Sequence, residues 1–143
     1  MEEQRKILVI TDGEPLIQNI AESIAARISS PPFTGYSVSV KDAGNFSGTD
    51  LLPASVFFIG CEEAKSCLFF YIEDLFRHIN LVGRPCGIFS TNARALKYLS
   101  RLVRPSEAAV GKPLLAENGK TDTNELTKWI QSIIKQGGKN ECS

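Results

Sequence analysis

The groups best placed for chemistry fall in two short stretches. Asp12 and Glu14 flank Gly13, and Glu62 and Glu63 follow Cys61. Carboxylates converging from two turns would hold a divalent cation or dock a basic partner. The plainer role is that of surface acids, with Asp12 or Glu14 capping the helix that follows. Cys61 and Cys67 would form a redox pair only with close approach and a lowered thiol pKa. A helix start at Cys67 lowers it, while Glu62 and Glu63 raise it again. Cys86 reads as core and Cys142 lies near the end of the chain. No two cysteines form Cys-x-x-Cys, and the one histidine, His78, leaves no Cys/His zinc pattern. His78 has no nucleophile motif around it and reads as a surface residue on a helix. No catalytic constellation is found. Arg94, Lys97, Arg101 and Arg104 recur every three or four residues. Such a row can meet phosphate or an acidic protein, but it reads first as the solvated back of an amphipathic helix.

The frame that positions these groups is legible from hydropathy. A chain of 143 residues makes one domain, 1–143, with a core that needs no staples. Formal charge is zero, so no global field favours nucleic acid or an acidic membrane. No apolar run is long enough to span a bilayer, and the opening MEEQRK is too polar for a signal peptide. Reduced thiols and a cytoplasmic location are the expectation.

Ile7 to Ile10, Val56 to Ile59 and Cys86 to Phe89 are apolar runs, the mark of strands buried on both faces. Tyr36 to Lys41 alternates apolar and polar, as an edge strand does. Ala108 to Val110, with Leu114-Leu115 beyond, supplies a last short strand. Between the strands come helical stripes. The first starts at Pro15 and carries Ile17, Ile20, Ala21, Ile24 and Ile28. Later ones carry Leu68, Phe69, Ile72, Leu75, Phe76 and Ile79, then Leu96, Leu99, Leu102 and Val103. A short helix is expected around Gly48 to Leu52. Asp122 with Glu125 resembles a capping box ahead of Leu126, Trp129, Ile130, Ile133 and Ile134. Gly137-Gly138 should close that helix, leaving 139–143 as a flexible tail. Alternating strands and helices with right-handed crossovers give a three-layer, doubly wound α/β fold. Its five-stranded parallel sheet has the order 2-1-3-4-5.

Several stretches resemble the flavodoxin family. KILVI, a turn and AESIA are similar to its opening. Lys41-Asp42-Ala43 and Val56-Phe-Phe-Ile-Gly-Cys61 are similar to its second and third strands. Gly83-Arg-Pro-Cys-Gly-Ile-Phe89 looks like its "G-K-P-x-x-x-F" approach to the fourth, and Asn118 to Ile134 like its closing helix. The length suits a short-chain member. The resemblance implies an FMN site on three loops. It puts the flavin positions at Thr11, Asp12, Gly13 and Glu14, at Gly60 and Cys61, and at Ser90 and Thr91.

Each loop departs from the family pattern. The phosphate loop, hydroxyl-x-Thr-Gly-x-Thr, falls on Asp12 to Ile17, with Asp12, Glu14 and Ile17 where hydroxyls belong. Pro15 removes a backbone donor. A carboxylate beside a phosphate costs about 4 kcal/mol per close charge pair at an intermediate dielectric. Ala64 and Leu96 stand where the family stacks aromatic rings on the flavin. The expectation is a degenerate cofactor site on a persisting scaffold, serving as a non-catalytic binding or interaction module. A protein partner would meet the acidic carboxyl edge, with no nucleic acid and no membrane involved. The alternative is an FMN-binding electron-transfer protein with an altered flavin site.

Asp12-Gly-Glu-Pro-Leu-Ile17 also echoes the acidic turn of response-regulator receiver domains. Thr91 and Lys112-Pro113 echo that family's Thr and Lys-Pro. The phosphoacceptor Asp should end the third strand, however, and Gly60 stands there. Unless Glu62 substitutes, phosphorelay lacks its acceptor and its metal ligand, and Lys112-Pro113 reads as a turn.

Overall fold

The computed structural model describes residues 5–31, 33–45, 48–63 and 70–142, with 70 and 136–142 described by backbone alone. In order the elements are β1 (Arg5–Thr11), α1 (Pro15–Ile28), β2 (Tyr36–Asp42), α2 (Gly48–Leu51) and β3 (Ala54–Gly60). Then come α3 (Phe70–His78), β4 (Pro85–Ser90), α4 (Ala93–Val103), β5 (Ala109–Val110), β6 (Leu114–Leu115) and α5 (Thr123–Cys142). The sheet runs β2-β1-β3-β4-β5, and every pairing is parallel.

Strand alternation divides the core in two, because successive side chains leave a strand on opposite faces. Leu8, Ile10, Phe57, Ile59, Cys86 and Ile88 face α3 and α4, meeting Ile72, Phe76, Leu96 and Leu99. Ile7, Val9, Val56, Phe58 and Phe89 face α1 and α5, meeting Ile20, Ile24, Ile130 and Trp129. On the edge strand Val38 and Val40 pack against this second layer. The α3 positions Leu68 and Phe69 lie outside the described residues.

Two glycines let rings cross the sheet surface. A Cβ on Gly87 would stand 2.5 Å from the Phe58 ring and 3.1 Å from Trp129, and one on Gly60 would collide with the Phe89 ring. Both positions need a missing side chain rather than backbone freedom.

The last strand departs from expectation. It is split, and a sixth short strand is attached to the sheet. β5 pairs with the start of β4, Pro85 to Ala109, and β6 with its end, Phe89 to Leu114. The register slips by one residue between the two halves. Pro113 sits in the slip and has no N–H for the ladder. The freed carbonyl of Lys112 accepts the Trp129 indole N–H at 2.6 Å. The other difference is in α5, which continues through Gly137-Gly138 to Cys142 rather than ending there. Each glycine costs a helix about 1 kcal/mol against alanine but does not forbid it. Ser143 lies outside the described residues.

Candidate functional site

In this strand order the winding direction reverses between β1 and β3. The crevice outside the carboxyl ends of those strands is where an open parallel sheet takes ligands. Three turns meet there. The first follows β1 with Thr11, Asp12, Gly13 and Glu14. The second follows β3 with Gly60, Cys61, Glu62 and Glu63, and the third follows β4 with Ser90, Thr91 and Asn92.

The turns are tied to one another. Asp12, only 7% exposed, accepts from the Glu14 N–H at 3.1 Å through Oδ1 and from the Glu62 N–H at 2.7 Å through Oδ2. The Glu62 carbonyl accepts from Asn92 Nδ2 at 2.7 Å. The neighbouring Cys61 carbonyl accepts from Ser90 Oγ at 2.6 Å. The peptide groups around Glu62 are thus held from β1 on one side and from β4 on the other. Asn92 Oδ1 also accepts from the Ala95 N–H at 2.8 Å, which caps α4.

Neither Asp12 nor Glu14 caps α1 through its side chain. Asp12 instead closes its own turn. Thr11 Oγ1 accepts from the Gly13 N–H at 3.3 Å and donates to Gln18 Oε1 at 3.2 Å. Ile17 is fully buried against the α1/α5 core, not turned toward the loop, so a hydroxyl there would not reach a ligand. Leu96 is buried in α4. Ala64 and Cys67 lie outside the described residues.

Asp12, Glu14, Glu62 and Glu63 concentrate negative charge on the first two turns, while the first turn of α4 carries Arg94. Burial, and then Glu14, Asp12 and Glu63, raise the Glu62 carboxyl above its ordinary pKa. Cys61 is fully buried, and burial with the Asp12 charge pushes its thiol up to about 12. That is the opposite of the lowered pKa a working thiol needs. Thr91 and Ser90 are buried, as is Gly60 beneath the Phe89 ring. Among the described residues no cluster of acids, cysteines and histidines could hold a metal ion.

No family profile and no curated protein matches this chain. Solved structures do match. A flavodoxin of Streptococcus pneumoniae TIGR4 superimposes with a TM-score of 0.70 at 13% identity, covering 94% of this chain and 98% of that one. Oxidised Flavodoxin 2 of Bacillus cereus does so at 0.71 and 14%, covering 92% and 99%. The fold is flavodoxin-like. A flavo di-iron protein mutant of Thermotoga maritima scores 0.73 at 12% identity, with 95% of this chain on 36% of that one. At identities this low the superpositions establish the flavodoxin-like architecture alone.

The test of those residues against FMN is local. A phosphate over the β1–α1 turn would need backbone or hydroxyl donors. The Gly13 and Glu14 N–H groups are already bonded to Thr11 and Asp12, and Pro15 has none. The buried Asp12 carboxylate would face the incoming dianion. This turn offers a flavin phosphate fewer free donors and more negative charge than the family pattern.

The sequence reading missed Asn92, which joins the second turn to the third. The signal was present: an Asn just before the apolar periodicity of α4 is a helix N-cap position. Its second bond, to a carbonyl across the crevice, has no signature in sequence.

Proposed function

We propose that this chain is a flavodoxin-like binding module whose cofactor crevice is closed upon itself. The Asp12–Glu62 bond carries this reading. It joins the ends of β1 and β3 across the point where a ligand of this architecture would enter. The polar groups of the crevice bond to one another, and its rim presents Glu14, Glu62 and Glu63. That rim suits a basic surface on a partner protein, read through charge complementarity. The reading includes no catalytic role, no bound flavin and a cytoplasmic location. No helix among the described residues is long and apolar enough to cross a membrane.

The likeness to flavodoxins favours a second reading, an FMN electron carrier with an altered site. Quenching of free FMN fluorescence separates the two. Wild type should leave micromolar FMN unquenched and should purify colourless. Asp12→Ser, Glu14→Thr and Pro15→Gly together remove two charges and restore a donor, so they should raise FMN affinity. Quenching by wild type at submicromolar concentration would replace the first reading with the second.

A further inference from the structure

α3 and α4 both run back from the carboxyl edge, so their last turns lie together at the amino end of the sheet. Each carries an arginine in its last turn, Arg77 beside His78 in α3 and Arg101 in α4. The two line one cavity of about 220 Å³ with Glu73, Tyr98, Leu102 and Pro105. Leu102 is 6% exposed and, with Pro105, gives the cavity an apolar lining. Among the described residues Glu73 is the one acid lining it, and its Oε1 accepts the Tyr98 hydroxyl at 2.8 Å. Among the described residues neither Arg77 nor Arg101 forms an ion pair.

A basic residue at a helix end already gains from the helix dipole. That explains each arginine singly, but not two of them on one cavity with an apolar lining. We propose that this groove docks an acidic segment of a partner protein, with a carboxylate taken by Arg77 and Arg101 and an aliphatic side chain laid on Leu102 and Pro105. Guanidinium groups suit the carboxylate because they bond it through a planar fork and stay charged. The basic row argues for a segment over a small ion. Arg94, Lys97 and Arg101 on α4 and Arg104 just past its end are all exposed. At helical rise the row spans about 15 Å. An extended peptide covers that length in about five residues, whereas an isolated anion meets one or two of the cations. The Arg77–Arg101 cavity lies at the opposite end of the sheet from the acidic rim, and its proposed role goes beyond the function proposed above.

The test is fluorescence anisotropy with a labelled peptide, Glu-Glu-Leu-Glu-Glu, in low salt. Wild type should bind it, and Arg77→Gln and Arg101→Gln should each weaken binding at least fivefold. Lys120→Gln, on an exposed cation ahead of α5, should change it less than twofold. Replacing the central Leu of the peptide by Gly should also weaken binding. Amide shifts on peptide addition to wild type should centre on α3 and α4, and the dispersed amide spectra of the variants alone should match that of wild type, showing that they remain folded. Equal losses for all three variants would mean a diffuse field and overturn the proposal. Displacement of the peptide by equimolar inorganic phosphate would overturn it in favour of a free-anion site. A wild-type dimer by analytical ultracentrifugation, lost in the Arg77→Gln/Arg101→Gln double variant, would overturn it in favour of a second copy of this chain.

Discussion

Asp12 and Glu62 are fifty residues apart in sequence and are joined by a 2.7 Å hydrogen bond from the Glu62 N–H to the Asp12 carboxylate. Asp12→Ala would strand two N–H groups, those of Glu14 and Glu62. Leaving buried donors without acceptors costs about 1–3 kcal/mol. The urea midpoint should fall accordingly. Asn92→Ala removes the α4 cap and the bond to the Glu62 carbonyl, for a loss of about 1–2 kcal/mol. Because both side chains hold the peptide groups of one residue, the double variant should depart from additivity by at least about 0.5 kcal/mol. Strict additivity would show that the three turns are not mechanically coupled.

Glu62 supplies a pH test. Its carboxyl pKa is raised in the folded chain, by burial and then by Glu14, Asp12 and Glu63. The folded state therefore holds this proton more tightly than the unfolded state. The group favours folding below its ordinary carboxylate range, and that contribution is lost as pH rises through the raised value. Glu62→Gln should flatten this part of the stability profile, at and above the ordinary carboxylate range. It should stabilise the protein at pH 7 by about 0.5 kcal/mol or less, as a partly exposed site allows. A variant less stable than wild type at pH 7 would mean that the Glu62 side chain makes a favourable contact.

The thiols at the ends of the central strands should be inert. Cys61 and Cys86 are both fully buried, and burial raises both pKa values, that of Cys61 to about 12. Iodoacetamide at pH 8 should leave both unmodified in the native protein and label both in denaturant, as read by peptide mass mapping. Rapid native labelling of Cys61 would show that its turn opens.

Trp129 joins α5 to the sheet in two ways. Its ring packs tilted on Phe58 at 5.3 Å, and its indole N–H holds the Lys112 carbonyl. Trp129→Ala should cost about 3–5 kcal/mol. Trp129→Phe keeps an aromatic ring and should still cost about 1–2 kcal/mol, because the Lys112 carbonyl loses its donor. Equal stability of Trp129→Phe and wild type would mean that water replaces the indole without loss.

The sheet order was legible because β1, β3 and β4 are apolar runs, which only strands covered on both faces can afford. The helices were legible from periodicity. The break at Lys112-Pro113 was not, since Val110 and Leu114 are apolar at even spacing and read as one strand, whereas the slip sends them to opposite faces of the sheet. Gly60 read as a cofactor position, and in the fold its missing side chain admits the Phe89 ring. The turn residues were legible one by one. Their joining was not, because a bond such as Asp12 to Glu62 depends on distances that only the folded sheet sets.

The broken fifth strand gives the sheet two unlike borders. At one border β2 presents seven consecutive residues, Tyr36–Asp42, paired only with β1 among the described residues. At the other, the slip and Pro113 interrupt the row of donors and acceptors, and a proline cannot extend a ladder. Any association by strand addition is therefore one-sided. Two copies meeting through β2 would form a continuous sheet that ends on a broken strand at both extremities, so growth would terminate at the dimer.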